Sequence, residues 1–455
     1  MYNKFLFFLF LVLLLQSGSA SAKVTPEESA QLGGQQLTPM GAERAGNADS
    51  TIPAWTGGIT STPAGYKPGK HHLDPYHDDT IIFTITSQNL DDYAEHLTEG
   101  QKALFKTYPD TWKMNVYPTR RSASYPELVY EAVKTNAVNA EVIMEGKGGV
   151  KNSVIAQPFP IPKSGIEVVW NHLLRWRGVY VTRSNGLAAV TFRGFYKVVI
   201  SEEEIAFPYA FHRVTSIKKK YPNILFAIKE KIIEPASLSG TGSLVFEFIN
   251  QTLEQRKSWV YRPAFKRVFR DPYLAYDRMS ALSEGLATVD DFDIYNGSPD
   301  RYEWKLLGKR EVYIPYNAYK LHGDNLAYSD ILKKGHINPD LARYELHRVW
   351  VVEGTLKKGE KHIYSRRVFF VDEDTWQIAV ADTYDKDGSL WRVIEAHALN
   401  YYEVPCPWTT LVVYHDLKVR RYLATGLDNR RNTYHFTEKG NVRQFNPNAL
   451  NYYVR

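Results

Sequence analysis

The densest group of candidate metal ligands lies in one short segment, His71-His72-Leu73-Asp74-Pro75-Tyr76-His77-Asp78-Asp79. Imidazole nitrogens and carboxylate oxygens suit a borderline divalent ion such as Zn²⁺. However, Pro75 prevents the helical face on which residues four apart share a metal. Loops that contain His and Asp are also common on protein surfaces, so the pattern favours a solvated loop and we assign no metal ligands.

A second group is acidic and consists of Asp290-Asp291-Phe292-Asp293, followed by Asp300-Arg301. Paired carboxylates can perform acid–base chemistry or bind calcium. The spacing lacks both the glycine and the terminal glutamate of a helix–loop–helix calcium site. We therefore expect these acids to be solvated or salt-bridged.

Histidines near carboxylates form a third group, because such pairs can activate a nucleophile. Four histidines fall in predicted strands near Glu345, Glu395 and Asp416, namely His347, His362, His397 and His415. The sequence contains no G-x-S-x-G, H-E-x-x-H or G-x-x-x-x-G-K-[ST] pattern. Cys406 lies between two prolines with no flanking base, which indicates a structural thiol.

We accordingly predict no catalytic residue and no enzymatic activity. The alternative is a periplasmic hydrolase, which requires four residues to converge in one pocket with perturbed pKa values. These residues are His347, Asp290, Asp291 and Asp293.

The first 22 residues predict a signal peptide. Lys4 precedes an apolar run over residues 5–15, and Ala20-Ser21-Ala22 supplies the cleavage signal, with cleavage after Ala22. The run is too short for a membrane span. A single cysteine in an exported chain fits the periplasm, and it excludes an intrachain disulfide. The formal charge of +6 in 455 residues does not require nucleic acid.

The elements that must position these groups change along the chain. Residues 23–87 are rich in Gly, Pro and Thr and predict an extended, turn-rich arm, whereas residues 88–175 contain helical patterns. Residues 178–425 contain β-rich runs, interrupted by an irregular acidic insert at 271–308 that can act as a lid. Asn185-Gly186 predicts a hairpin turn, and Asp387-Gly388 predicts another.

These patterns predict an α+β fold with a large, curved antiparallel sheet and helices packed on its concave face. We expect one domain over residues 88–455. The alternative interpretation is two domains divided near residue 175. The concave side of such a sheet can line an apolar cavity, although aromatic strand residues more often form plain core. The candidate cavity-wall residues are Trp350, Phe369, Trp376, Ile378, Val380 and Trp391.

Several motifs together resemble one family, the domain-of-unknown-function family 1329 of Gram-negative bacteria, over nearly the whole mature chain. They include Leu37-Thr38-Pro39-Met40-Gly41-Ala42-Glu43-Arg44, Ile52-Pro53-Ala54-Trp55-Thr56-Gly57-Gly58, Asn296-Gly297-Ser298-Pro299-Asp300-Arg301-Tyr302 and Arg343-Tyr344-Glu345-Leu346-His347-Arg348-Val349-Trp350. The resemblance implies a periplasmic protein with an unclosed antiparallel barrel, similar to the Lol-type lipoprotein carriers, around helices and an apolar cavity. It also implies an outer-membrane channel and a resistance–nodulation–division exporter as partners. The family's Arg-dense, Gly-bearing stretch is altered here at residues 261–270.

We therefore expect a periplasmic carrier of a hydrophobic ligand: a lipid, an acyl chain, a sterol-like molecule or a lipoprotein. No cofactor and no nucleic acid are expected. Basic pairs such as Arg366-Arg367 and Arg420-Arg421 suit anionic lipid, so peripheral membrane contact is an expectation too. A third reading is an assembly factor that docks on an outer-membrane channel.

Overall fold

The computed structural model describes residues 24–211, 221–271 and 275–454. The predicted signal peptide therefore lies outside the described residues. The helices are α1 (Pro26–Ser29), α2 (Glu99–Thr107), α3 (Glu127–Asn139), α4 (Gly165–Leu174), α5 (Tyr319–His322), α6 (Tyr328–Ile331) and α7 (Pro447–Tyr453). Across the described ranges, no helix has the length and apolar character needed to cross a membrane.

The strands carry most of the architecture, which is α+β as predicted. They are β1 (Phe83–Ile85), β2 (Met114–Val116), β3 (Glu141–Val142), β4 (Val150–Lys151), β5 (Tyr180–Val190), β6 (Val198–Ala206), β7 (Ile224–Glu234), β8 (Gly242–Phe248), β9 (Lys257–Arg262), β10 (Arg267–Arg270), β11 (Tyr302–Pro315), β12 (Tyr344–Leu356), β13 (Arg366–Asp372), β14 (Ile378–Tyr384), β15 (Leu390–Tyr401), β16 (Cys406–Asp416), β17 (Arg421–Thr425) and β18 (His435–Thr437).

Sixteen of these strands form one large, unclosed sheet. Its order is β1-β2-β12-β13-β14-β15-β16-β17-β5-β6-β7-β8-β9-β10, with β11 beside β12 and β18 beside β5. The pairings are antiparallel except that β2 joins β12 in parallel at Val116 and Tyr344. β10 is the last strand of this order, so one of its edges has no strand partner among the described residues.

Tight turns explain the consecutive pairing of β12 to β17. Between β14 and β15, the Asp385 carboxylate accepts the backbone N–H groups of Asp387 and Ser389 at 2.9 Å each. Gly388 then adopts φ +79°, a conformation that a side chain would strain. Local chemistry of this kind joins antiparallel neighbours without help from distant residues.

The two faces of the sheet pack against different helices. On one face, nine of the ten residues of α4 are buried, five of them in the main hydrophobic core, and the helix packs against β11 and β12. On the opposite face, α2 packs against β14 and β15, and its Leu104 and Phe105 are fully buried. The helices therefore pack on both sides of the curved sheet.

The predicted turn at Asn185-Gly186 is wrong, because both residues lie inside β5 and pair with β6. Gly186 serves a different purpose there. A Cβ atom at this position would lie 2.3 Å from the carbonyl oxygen of Leu427. The backbone N–H groups of Gly426 and Leu427 both donate to the Gly186 carbonyl at 3.0 Å. The glycine thus permits the close approach of a distant segment.

Candidate ligand cavity

A cavity of about 330 Å³ lies between one face of the sheet and the acidic insert. Alternate residues of the strands line it, as the period of two in a β-strand requires. They are Arg183, Asn185 and Leu187 on β5, Phe226, Ile228 and Glu230 on β7, Ser243, Val245 and Glu247 on β8, and Ser258 and Val260 on β9. Trp408, Val412 and Tyr414 of β16 and Leu423 and Thr425 of β17 complete the sheet side.

Residues 280–296 of the insert form the opposite wall, and we call this segment the cover. Ala281, Leu282, Val289 and Phe292 of the cover line the cavity. The Phe292 ring lies 5.8 Å from the ring of Phe226 on β7, centroid to centroid. Apolar side chains therefore face each other from the sheet and from the cover.

Ion pairs in the protein interior hold the cover in place. The Asp293 carboxylate accepts hydrogen bonds from Arg175 at 2.6 Å and Arg177 at 2.7 Å, just beyond the C-terminus of α4. The Asp290 carboxylate accepts one from Arg367 of β13 at 2.7 Å. Burial raises the pKa of Asp293, but the positive charges of Arg175 and Arg177 outweigh it and hold this pKa well below its usual value. These acids are salt-bridged, which is one of the two outcomes expected from the sequence.

One polar group of the cavity centres on Glu203 of β6. Its carboxylate accepts hydrogen bonds from Arg183 at 2.7 Å and Asn185 at 2.6 Å. Glu230 lies across from it and accepts a hydrogen bond from Ser243 at 3.1 Å. Burial, and then the negative charge of Glu203, raise the pKa of Glu230.

A second polar group lies beside β8 and β9. Arg256 approaches Glu247 at 2.9 Å, and the hydroxyl of Tyr276 donates to the same carboxylate at 3.1 Å. Burial raises the pKa of Glu247, while the Arg256 charge lowers it. Ser258 is 3 % exposed, and its hydroxyl has no hydrogen-bond partner among the residues that the structure describes. A buried polar atom without a partner is costly, so a polar ligand atom at this point would be favourable.

The comparisons with known proteins identify the family. Residues 84–451 match the profile described as protein of unknown function (DUF1329). The chain is also 47% identical over 446 residues to the uncharacterized protein PA3922 of Pseudomonas aeruginosa, covering 97% of this chain and 96% of the relative. The chain belongs to the DUF1329 family.

Three solved structures resemble this DUF1329 chain at low sequence identity. One is an outer membrane lipoprotein-sorting protein domain from Vibrio parahaemolyticus (14% identity, 63% of this chain, 98% of that chain, TM-score 0.43). A second is a DUF1329 family protein from Desulfovibrio piger (17%, 60% and 92%, TM-score 0.40). The third is a LolA superfamily protein from Nitrosomonas europaea (12%, 63% and 99%, TM-score 0.37).

The six wall candidates predicted from the sequence lie on another part of the sheet, and none lines this cavity. Phe369, Trp376 and Ile378 are buried in the main core, on the face that α4 covers. Trp350 is partly buried against the same core, and its ring stacks on that of Trp376 at 6.3 Å. Trp391 lies at the start of β15, and its indole N–H donates to the Asp416 carboxylate at 2.9 Å.

Val380 lies on the opposite face of the sheet from the wall candidate Ile378. The pairing of β13 with β14 shifts register at Phe370 and Val371, which is a β-bulge. Because a bulge inserts one residue, Ala379 and Val380 both turn to the face that α2 covers. The prediction that Val380 shares a face with Ile378 is therefore wrong.

His347 does not join the acids of the insert in this DUF1329 chain. Its ring lies between Glu345 at 3.2 Å and Asp372 at 3.6 Å. His347, Asp372 and Asp374 form the group of described residues whose ligand atoms come close enough to hold a metal. However, both oxygens of Asp374 already accept hydrogen bonds from Arg121, and the pKa of His347 is raised to about 9. A protonated histidine and an arginine both oppose a cation at this point.

The histidine-rich segment of the arm is buried at its start. His72 hydrogen-bonds to Glu403 at 2.5 Å and to His322 at 3.2 Å, and it is 3 % exposed. The Tyr66 ring stacks on His72 at 5.0 Å. The expectation of a solvated loop is therefore wrong for His72, because its ring anchors the arm. The later residue His77 is exposed, as expected.

Proposed function

We propose that this chain is a carrier that holds an apolar or amphiphilic molecule in the cavity between the sheet and the cover. One observation carries the proposal. Residues of seven neighbouring strands, from β16 through β17 and β5 to β9, and the apolar residues of the cover enclose one space of about 330 Å³. This volume lies at the lower end of the range typical of small-molecule sites.

The driving force would be the burial of apolar surface. Phe226, Ile228, Val245 and Val260 present a continuous apolar strip across β7, β8 and β9. Burial of a ligand chain against such a strip contributes about 25 cal/mol per Å², before the cost of ordering the ligand. The Glu203 and Glu247 groups would then orient a polar end of the molecule.

The charged groups around the cavity support binding rather than catalysis. Asp293 is paired with two arginines, and Glu203 is paired with Arg183. His347, which the hydrolase alternative requires, lies in a separate cluster with Glu345 and Asp372. We therefore keep the proposal of a non-enzymatic carrier.

The cellular setting follows from the sequence. The predicted signal peptide supports a periplasmic location, where the carrier would hold a lipid, an acyl chain, a sterol-like molecule or a lipoprotein acyl group. The outer-membrane channel and the resistance–nodulation–division exporter remain proposed partners. Crosslinking in intact cells, followed by purification of this chain, would test whether it contacts either one.

A filled cavity tests the ligand proposal directly. Ile228→Trp would occupy the cavity, whereas Ile233→Trp places the same side chain on the same strand outside it. Native mass spectrometry of the purified mature chain should show a bound lipid in the wild type and in Ile233→Trp, and none in Ile228→Trp. An apolar fluorophore should likewise bind to the wild type and to Ile233→Trp and should not bind to Ile228→Trp. A wild-type protein that holds no lipid and binds no fluorophore would overturn the proposal.

A further inference from the structure

The hairpin formed by β9 and β10 carries an exposed aromatic tip surrounded by positive charge. Phe265 lies in the turn and is 61% exposed. Four basic residues of the hairpin are exposed, namely Arg262, Lys266, Arg267 and Arg270. No Asp or Glu occurs between residues 257 and 270. None of the four forms an ion pair with an acid in the described part of the chain.

The hairpin continues the cavity wall outward. Val260 of β9 lines the cavity, and Phe269 of β10 pairs directly with it. Directly opposed residues share one face of a sheet, so Phe269 extends the cavity face by one strand. The Phe269 ring contacts Phe265 edge to face at 5.6 Å. An apolar ridge therefore runs from the cavity wall to the exposed tip.

We propose that the β9–β10 hairpin docks on the surface of an anionic lipid bilayer. Guanidinium groups pair with phosphate oxygens, and an aromatic ring is favourable at the boundary between headgroups and acyl chains. The combination of an exposed Phe265 with neighbouring cations fits that boundary better than a purely acidic protein surface, which offers nothing apolar to the ring.

Docking would place the cavity beside the membrane. The ridge of Val260, Phe269 and Phe265 would then lead from the lipid surface to the cavity. We expect the contact to stay at the interface, because an edge of β10 without a strand partner among the described residues would leave backbone polar groups unsatisfied in the hydrocarbon region. The attraction falls with added salt, since the charges involved are exposed.

Co-sedimentation with vesicles tests the proposal. The mature chain should bind phosphatidylcholine vesicles that contain phosphatidylglycerol and should not bind pure phosphatidylcholine. The single variants Phe265→Ser and Arg267→Gln should each weaken binding, and the double variant should weaken it by at least about tenfold. All of these positions are exposed, so thermal unfolding should remain unchanged.

A matched control lies at the turn between β5 and β6. Phe192 is 55% exposed, and the Arg193 guanidinium lies 5.3 Å from its ring, so Phe192→Ser with Arg193→Gln removes the same two side-chain types. This control should leave vesicle binding intact. Equal losses of vesicle binding in the hairpin double variant and in the control double variant would overturn the proposal. A loss of binding in Arg267→Gln with none in Phe265→Ser would overturn it too. Fluorophore binding retained in the hairpin variants would separate this result from the carrier proposal.

Discussion

The indole N–H of Trp408 donates to the Asp293 carboxylate at 3.3 Å, and both residues line the cavity. Trp408 lies on β16, whereas Asp293 lies in the cover. The same carboxylate pairs with Arg175 and Arg177, just after α4. One side chain thus connects the cover, the sheet and the α4 region. The position of the cover depends on this carboxylate.

Asp293→Asn should destabilise the protein by about 3–5 kcal/mol, because removal of one partner leaves buried charges uncompensated. The two arginines are 1 % and 3 % exposed at their side chains. The measurement is urea unfolding of the purified mature chain. As a control, Asp277→Asn removes the partner of Arg301 at a more exposed ion pair and should cost about 1 kcal/mol or less. Similar small costs for both variants would contradict the role assigned to Asp293.

His347 should make stability depend on pH in the alkaline range. Burial lowers its pKa, but hydrogen bonds to Asp372 and Glu345 and their negative charges raise it to about 9. Because this folded-state pKa is above the unfolded value, protonated His347 stabilises the folded protein fully below about pH 6.5. The contribution is lost as the pH rises to about 9. The free energy of unfolding should therefore fall by on the order of 2–3 kcal/mol across that interval.

The pH series identifies the residue responsible. His347→Gln should lower stability near neutral pH and flatten the decline between about pH 6.5 and 9. His77→Gln, at a side chain that is 73% exposed, should leave the curve unchanged. An unchanged decline in His347→Gln would show that another group titrates there.

The C-terminal strands were predictable because their signals are local. Asp387-Gly388 forms the turn that its composition indicates, and it joins β14 to β15 within the predicted β-rich region. Gly186 shows the limit of such signals, since its neighbour Leu427 is distant in the chain. A single sequence does not distinguish a glycine that forms a turn from a glycine that permits a close contact with a distant segment.

The cavity wall depended on information that the sequence does not carry. Trp376 and Phe369 have the aromatic, alternating character of wall residues, but α4 packs on their face and fills it. Phe226 and Ile228 alternate in the same way on β7, where the cover leaves a space. Which apolar face meets a helix and which meets a cavity depends on tertiary packing.

Gly100 should tolerate no side chain, although it lies in the first turn of α2. Replacement of Gly by Ala in a helix usually stabilises by about 1 kcal/mol. Here the new Cβ atom would lie 2.1 Å from the Asp382 carboxylate and 2.8 Å from a methyl group of Val393. Gly100→Ala should instead destabilise by about 1–3 kcal/mol in urea unfolding, because overpacking shifts these neighbours. A gain in stability would contradict the tight contact between α2 and β14.

Glu395 should produce a pH effect in a different interval. It is fully buried on β15, where the hydroxyl of Tyr344 donates to it at 3.1 Å. Burial raises its pKa to about 7, and the charge of Asp382 adds to this. The folded state therefore binds a proton that the unfolded state has already released. Its contribution to stability is lost as the pH rises from about 4.5 to about 7 and stays constant above that.

Glu395→Gln replaces the carboxylate with a neutral group of the same size, so the cost of a buried charge disappears. At pH 8 the variant should be more stable than the wild type by up to about 3 kcal/mol, whereas at pH 4 the two should be similar. Glu303→Gln, at an exposed position of β11, should change neither value. A Glu395→Gln variant that is less stable at pH 8 would mean that the ionised carboxylate is favoured in the folded state. The Glu395 effect lies mainly below about pH 7 and the His347 effect mainly above about pH 6.5, so unfolding of the two variants from pH 4 to pH 9 assigns each part of the curve.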